Sequence, residues 1–188
     1  YYPQHFNRTK QGNNSLFNPL INICKSKNIH YLVLEEPNKK CSHPRNKQAN
    51  QFDIYFNIII ILRKIIPLML FKKLEKKEQW IGKIMRKITY AKFDANVILT
   101  LSNSMGSFWR GYNKLAKIID YQHGIIDKNQ NGFFNKGKVS NHILENKKKV
   151  AVWGRGFYNI FKQDKKYYKN KVNLLGYPQF INNNKKVT

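Results

Sequence analysis

Residues of the kinds that build metal sites and disulfide frameworks are few in this sequence. Of its 188 residues, only 2 are cysteines and 10 are acidic. Cys24 and Cys41 lack CxxC or Cys/His ligand spacing, so neither a zinc site nor a disulfide framework is indicated, and a reducing compartment fits best. The scarcity of Asp and Glu disfavours a metal site built on an aspartate triad. We therefore expect a cytoplasmic protein without a bound metal or cofactor.

Arginine is also scarce, and this bears on the meaning of the charge. A formal net charge of +25 is typical of nucleic-acid-binding proteins. Only 6 of the 35 basic residues are Arg, however, and proteins that recognise bases and phosphates use Arg because its planar fork bonds bidentately. Lys, Asn and Ile together make 74 of the 188 residues, a composition typical of AT-rich coding. We interpret much of the charge as compositional and expect no specific nucleic-acid recognition, with a basic nucleic-acid-binding α/β protein as an alternative.

The common glycine-rich nucleotide loops are missing as well. Gly154-Arg155-Gly156 would need a third glycine at position 159 to complete the dinucleotide-binding pattern GxGxxG, and that position is Asn159. The sequence has no P-loop either. Neither motif is therefore predicted to bind a nucleotide here.

What the sequence does have is the pattern of a folded α/β protein. It is 41% hydrophobic and contains 12 Phe, 11 Tyr and 3 Trp, too many for a disordered chain. Apolar, β-prone runs separated by helical patterns predict a Rossmann-like parallel sheet flanked by helices. The predicted strands cover residues 29–36, 96–101, 117–122, 149–153 and 172–175. The polar stretches 127–141 and 145–149 are predicted to be solvated loops.

The most apolar segment runs from Phe52 to Leu74, and together with the lysines that follow it forms a basic, apolar stretch over residues 52–77. A membrane-spanning helix is disfavoured because Arg63, Lys64 and Pro67 interrupt the apolar run. One interpretation is a buried or interdomain helix kinked near Pro67. The other is an interfacial helix whose four lysines between residues 72 and 77 face anionic headgroups, which would place the protein at the inner face of the cytoplasmic membrane.

In a parallel α/β sheet, function collects at the carboxyl ends of the strands. His123, between Gln122 and Gly124, is the strongest candidate. An imidazole there can act as a general base toward a hydroxyl or donate a hydrogen bond to a phosphate, and a glycine beside it permits a tight turn or a close ligand. A histidine bonded only to local backbone is the structural alternative.

Other strand ends and a polar cluster near the start of the sequence carry further candidates. Glu35 and Glu36 are alternate catalytic carboxylates or ligands of sugar hydroxyls, and a structural role is equally open. Hydroxyl and N–H groups after the strand at 96–101 suit a phosphate or a sugar, or simply cap a helix. The remaining candidate substrate-binding residues are Ser102, Asn103, Ser104, Arg8, Gly154 and Arg155.

Several short segments occur in a recognisable order. They are Phe6-Asn7-Arg8 through Asn18-Pro19-Leu20, Tyr31-Leu32 to Glu35-Glu36-Pro37, Tyr121-Gln122-His123-Gly124-Ile125-Ile126, Val152-Trp153-Gly154 and Leu175-Gly176-Tyr177-Pro178. This order resembles the N-terminal half of bacterial surface-polysaccharide glycosyltransferases of the GT-B kind, the enzymes of capsule and lipopolysaccharide biosynthesis. The similarity spans most of the sequence.

The resemblance implies two Rossmann-like domains facing a cleft, with the acceptor mainly on the first and the nucleotide-sugar mainly on the second. Residues 1–176 would be the first domain and residues 177–188 the start of the linker, with the second domain outside this sequence. The implied reaction transfers a sugar from a nucleotide-sugar to a surface-polysaccharide or lipid-linked acceptor without a bound metal. His123 would lie at the reaction centre, with Glu35 or Glu36 as the alternate. A non-catalytic partner protein at the membrane surface is the third function that we consider.

Overall fold

The fold is known from a computed structural model, which describes residues 1–7, 9–38, 40–102, 105–129, 132–164, 167 and 171–177. The helices are α1 (Asn18–Ser26), α2 (Asp53–Ile65), α3 (Leu74–Ile88), α4 (Gly106–Tyr112), α5 (Asn141–Glu145) and α6 (Arg155–Lys162). The strands are β1 (Tyr2–Pro3), β2 (Glu35–Glu36), β3 (Val97–Leu101), β4 (Lys117–Tyr121), β5 (Phe134–Asn135), β6 (Lys138–Val139), β7 (Lys149–Val152) and β8 (Val172–Leu174). Candidate residues Arg8, Asn103 and Ser104 and positions 178–188 of the predicted linker lie outside the described residues.

A parallel sheet forms the centre of the molecule. β3, β4, β7 and β8 pair in that order, and every pair is parallel. β1 and β2 form a second parallel pair. Two backbone hydrogen bonds join that pair to β3: Tyr1 N donates to Leu99 O at 2.7 Å, and Leu101 N donates to Tyr1 O at 3.2 Å. The strands therefore lie side by side in the order β2-β1-β3-β4-β7-β8, which confirms the predicted parallel α/β class.

Alternate residues of the strands face opposite layers of helix, as the two-residue period of a strand requires. Leu101 and Tyr121 face the layer that contains α1. Ile98 and Ile118 face a core that α2, α3 and α4 cover. That core contains the buried side chains Phe56, Ile59, Ile81, Met85, Phe108 and Trp109. Both faces of the central strands are thus buried, which explains their nearly continuous apolar runs.

A second part of the core corrects the prediction that residues 127–141 and 145–149 are solvated loops. β5 and β6 form a short antiparallel hairpin within the first stretch, and Phe133, Phe134 and Val139 are buried against Phe161 of α6. In the second stretch, Lys148, which directly precedes β7, is fully buried. The polar composition of both stretches concealed aromatic and strand residues that belong to the core.

Two further predictions need correction. The strand predicted at 29–36 is confined to Glu35–Glu36, because its partner β1 pairs only through Tyr2 and Pro3. The helix predicted to kink near Pro67 instead ends at Ile65, and Ile66 is extended, as expected for a residue that precedes proline. Among the described residues, no helix is both long and apolar enough to cross a membrane.

Candidate functional site

The order of the strands changes direction at β1. β2 lies on one side of β1, whereas β3, the next strand along the chain, lies on the other side. Open parallel sheets bind ligands in the crevice outside the carboxyl ends of the strands at such a switch point. A site is therefore expected at the loops that follow β1, β3 and β4, at the carboxyl edge of the sheet.

The histidine that follows β4 meets the loop that follows β1. The ring centroids of His123 and Phe6 lie 5.1 Å apart in an edge-to-face arrangement, and the His5 ring lies 4.3 Å from that of Phe6. Burial lowers the pKa of His123 and the neighbouring His5 acts in the same direction, whereas Asp120 and the backbone of Tyr121 oppose the shift. The net effect favours the neutral imidazole, which is the form that accepts a proton.

One buried ring nitrogen at this edge, Nδ1 of His123, lacks a hydrogen-bond partner among the described residues. The side chain of Trp153, which follows β7, interacts with the Tyr121 hydroxyl. The Trp153 ring packs edge-to-face on Tyr177, with centroids 4.7 Å apart. Because buried polar groups are nearly always paired, an unpaired one suggests an interaction with water or a ligand. The carboxyl edge therefore keeps hydrogen-bonding capacity that the described residues do not use.

The two neighbours of His123 have different structural roles. Gln122 is fully buried, and its side chain donates to Gly124 O at 2.7 Å and accepts from Trp153 N at 2.8 Å. It thus ties the loop after β4 to the end of β7. Gly124 has an ordinary negative φ, and a Cβ atom added to it would meet nothing within 4 Å. The space around Gly124 is open to a ligand, whereas Gln122 sets the shape of the loop.

Glu35 lies at the centre of a buried network. Its carboxylate accepts hydrogen bonds from Asn7 Nδ2, from Arg45 Nε and, at 3.1 Å, from Asn46 N. The same Arg45 guanidinium donates to Asp53 at 2.6 and 3.1 Å. Since the Glu35 side chain is fully buried and accepts three hydrogen bonds, this geometry favours a role in holding the loop at residues 44–46 against the start of the chain.

Glu36 is half-buried, and it contacts different residues from those that contact Glu35. Its carboxylate accepts a hydrogen bond from the Tyr1 hydroxyl at 3.1 Å, and that hydroxyl also lies 2.8 Å from Met105 Sδ in the loop after β3. Glu36 thus adjoins the switch point between β1 and β3. Of the two carboxylates, Glu36 keeps more access to a ligand.

The loop after β3 contains two residues in the left-handed backbone region, Ser102 (φ 60°) and Met105 (φ 48°). Non-glycine residues adopt this region at a cost, and such strained positions cluster at functional sites. Ser102 is exposed there. The loop therefore has an unusual conformation directly at the switch point.

Gly154 and Arg155 belong to another part of the surface. Gly154 precedes α6, and Arg155 is its first residue. Arg155 lines an open groove of about 480 Å³ with Tyr158, Asn159 and the outer side of β8. Arg155 thus lines a different cavity from the one that Met105 and Gly106 line.

A buried polar cluster that was not predicted from the sequence lies beneath the loop after β3. Asp120 is fully buried in β4 and accepts a hydrogen bond from Thr100 at 3.1 Å. Lys148 is also fully buried, with its Nζ 3.2 Å from His142 Nε2. Burial lowers the pKa of Lys148 to about 8, and Asp120 acts in the opposite direction. An acidic residue within the apolar run 118–121 was the available signal for this cluster.

A cleft of about 320 Å³ opens beside this cluster. Its walls come from the end of α2, the start of α3, the start of α4 and α5, and include Arg63, Leu74, Met105, Gly106 and His142. Arg63 and Glu78 form an ion pair at 2.6 Å in the same wall. The cleft thus lies between the loop after β3 and the two helix ends that carry Arg63 and Leu74.

Among the described residues, no group of three or more His, Cys, Asp or Glu side chains is placed to hold a metal ion. The carboxyl edge instead presents a half-buried imidazole with one unpaired ring nitrogen, and a half-buried carboxylate. Comparison of the chain with protein-family models, with curated proteins and with solved structures finds no match.

Proposed function

We propose that this chain is the acceptor-side domain of a glycosyltransferase. The proposed enzyme transfers a sugar from a nucleotide-sugar to a glycan or lipid-linked acceptor of a surface polysaccharide. The observation that carries the proposal is His123 at the carboxyl edge of a parallel sheet, packed on Phe6, with its pKa lowered by burial and Nδ1 unpaired. The resemblance of the short motifs to the GT-B kind supports it, and on this reading the sheet is the Rossmann-like first half of that fold.

In the proposed reaction, neutral His123 takes the proton of an acceptor hydroxyl. The freed oxygen forms a bond to the anomeric carbon of the donor sugar while the bond from that carbon to the nucleotide phosphate breaks. The leaving phosphate keeps the electron pair of the broken bond, and the proton remains on the imidazole until solvent removes it. The donor would be held mainly by a second domain, and no metal or cofactor is invoked.

The neighbouring residues have supporting roles in this proposal. Gln122 fixes the backbone that carries His123, and Gly124 leaves space in which an acceptor can approach. Glu36 is the alternate base or a ligand of sugar hydroxyls, since its carboxylate is half-buried beside the switch point. Glu35 contributes by holding Asn7, the residue after Phe6.

The test is a transfer assay on the protein made from the whole reading frame that contains this chain. Purified protein is incubated with a panel of nucleotide-sugars and with cell-envelope acceptors, and transfer is followed by mass spectrometry. We expect transfer with at least one donor, and a loss of at least roughly a hundredfold in kcat for His123→Ala. His30→Ala, which replaces an exposed histidine, is the matched control and should keep full activity.

Two results would overturn this assignment. If no donor is consumed while the protein binds oligonucleotides with a sequence preference, the protein is a nucleic-acid binder. If transfer persists at full rate in His123→Ala, the residue has no part in the chemistry, and Glu36→Gln then tests the alternate base. Melting temperatures of the variants are compared first, so that loss of folding is not counted as loss of chemistry.

A further inference from the structure

The segment that follows α2 exposes a cluster of large apolar side chains. Leu68, Met69 and Leu70 form a single 3-10 turn after Pro67 and are 49%, 87% and 70% exposed. The neighbouring apolar side chains Ile61, Ile65 and Leu74 are also exposed. We call these six residues the apolar tip. Contiguous apolar surface of this kind is uncommon on soluble monomers and marks a surface that contacts a partner or a membrane.

The exposed part of α2 has the geometry of a binding face. Ile54, Ile61 and Ile65 are exposed and recur at helical spacing, whereas Phe56 and Ile59 on the other side are buried in the core. α2 is therefore apolar on two faces, only one of which the described part of the protein covers. The second face leads directly into the apolar tip.

Basic residues outnumber acidic ones around the apolar tip, where Glu75 directly follows Leu74. Between Ile61 and Leu74 there are four basic residues and no acidic one. Arg63 is paired with Glu78, and Lys73 is paired with Glu145. Lys64, Lys72 and Lys76 are exposed and form no ion pair within the described part of the chain. An anionic lipid surface offers acyl chains that apolar side chains can contact, and negatively charged headgroups that unpaired lysines can contact.

We propose that the apolar tip docks the protein on an anionic lipid bilayer. α2 has 13 residues and is about 20 Å long, too short for a hydrocarbon core of about 30 Å, so the segment lies in the interface and does not span it. Trp80 packs beside Phe71, with ring centroids 5.9 Å apart, and is itself exposed. Tryptophan favours this boundary because one side of its ring system is apolar and its N–H is polar.

Docking in this way would set the position of the candidate site. Arg63 and Leu74 line the same cleft as Met105 and Gly106, which belong to the loop after β3. The apolar tip therefore adjoins the carboxyl edge of the sheet. A bilayer that contacts Leu74 would lie beside the switch point, although the docking itself does not depend on the proposed sugar transfer.

The experiment measures binding of the purified protein to vesicles of phosphatidylcholine alone and of phosphatidylcholine with phosphatidylglycerol. We expect binding to the anionic vesicles and at least tenfold weaker binding to the neutral ones. A variant with Leu68→Ser, Met69→Ser and Leu70→Ser should bind the anionic vesicles at least tenfold less well. The matched control carries Leu115→Ser and Ile125→Ser, which replace exposed apolar residues elsewhere, and should bind like the wild type.

A second pair of variants separates local charge from total charge. Changing Lys64, Lys72 and Lys76 to Gln removes three positive charges at the apolar tip, and we expect at least a tenfold loss, since each lysine at an anionic surface contributes roughly fivefold. Changing Lys117, Lys136 and Lys138 to Gln removes the same charge elsewhere and should have little effect. Equal losses in both variants would overturn the proposal, because they would show that the net charge of +25 acts without a defined surface.

Two further outcomes would also overturn it. Light scattering that shows a dimer in the wild type and a monomer in the serine variant, without vesicle binding, would mean that a second copy covers the apolar tip. Full vesicle binding by the serine variant would mean that another surface contacts the lipid. Quenching of Trp80 fluorescence by brominated lipid supports the proposal if Trp80→Phe removes it, and contradicts it if the quenching remains.

Discussion

Gly82 of α3 lies directly against the backbone of α4 at Phe108. A Cβ atom added to Gly82 would approach the Phe108 carbonyl oxygen well inside 3.0 Å and would lie 2.7 Å from Tyr112 N. Gly111 of α4 meets the Gln79 carbonyl in the same way. The two helices thus cross with backbone in contact with backbone, and this crossing holds α4, with the loop after β3, against the rest of the fold.

Gly82→Ala should therefore lower the free energy of unfolding by about 2–3 kcal/mol, because the obstacle is backbone that cannot rotate away. The measurement is urea unfolding followed by circular dichroism. Gly156→Ala in α6 is the control, since a Cβ atom there meets nothing within 4 Å, and it should be neutral or slightly stabilising. Equal stability of Gly82→Ala and wild type would show that the helices are farther apart than described.

The buried network of Glu35 leads to a second prediction. Glu35→Gln removes the negative charge that pairs with Arg45. It also replaces one carboxylate oxygen by an NH2 group, which cannot accept the hydrogen bond that this oxygen accepts in the wild type. We expect a loss of about 3 kcal/mol in the free energy of unfolding. Glu36→Gln keeps an acceptor for the Tyr1 hydroxyl and should change stability by less than about 1 kcal/mol. If the two losses are equal, Glu35 does not hold the loop at residues 44–46.

The contrast between Glu35 and Glu36 shows where sequence analysis succeeds and where it stops. Short, nearly continuous apolar runs predicted the parallel sheet, because strands that are buried on both faces, such as β3, β4 and β7, have that pattern. The same pattern cannot tell which of two adjacent carboxylates is buried. Arg45 and Asp53, the partners that decide the matter for Glu35, lie in a polar segment and at a helix start, without a local signal.

Short elements and long-range contacts were equally hidden. β1 has two residues, too few for any periodicity, yet it creates the switch point at which the candidate site lies. Lys148 lies between two other lysines in the sequence, and this composition predicted that all three are solvated. Its burial becomes visible only in the packing of α4 over β4. His123, by contrast, could be selected from its position after a predicted strand, although its contact with Phe6 could not.

Lys148 gives the protein a dependence on alkaline pH. Burial lowers its pKa to about 8 from the ordinary 10.5, so between these two pH values the unfolded chain binds more protons than the folded protein. The free energy of unfolding should therefore rise as pH increases from 8 to 10.5, relative to a variant without this group. The amine is disfavoured in its charged form and becomes compatible with its surroundings once it loses a proton.

The comparison is between the wild type and Lys148→Met, with unfolding measured at intervals from pH 7 to pH 10.5. The free energy of unfolding of the wild type, relative to that of Lys148→Met, should increase by up to about 3 kcal/mol as the pH rises from 8 to 10.5. Below pH 8 this difference should stay constant. Lys128→Met, which replaces an exposed lysine, is the control and should give a constant difference. A constant difference for Lys148→Met as well would show that the amine is hydrated.

The last prediction concerns the fall in the rate of the proposed reaction at low pH. Burial lowers the pKa of His123, and the positive charge that His5 acquires on protonation lowers it further. Because only neutral His123 can accept a proton, kcat/KM should fall on the acid side with an apparent pKa below 6.5, the ordinary value for histidine. Replacing His5 by Ala removes the like charge, so the pKa of His123 should rise and the acid limb should move to higher pH, with the plateau rate unchanged.

The measurement is kcat/KM for sugar transfer between pH 4.5 and pH 8 in the wild type, His5→Ala and His30→Ala. His30 is exposed and is not among the groups that shift His123, so its replacement should leave the profile in place and controls for loss of a surface histidine. If His5 had only a structural role, its replacement would change the plateau value of kcat/KM and would leave the apparent pKa of the acid limb unchanged. An acid limb at or above pH 6.5 in the wild type would mean that the proton is accepted by another group. An acid limb that disappears in Glu36→Gln would identify that group as Glu36.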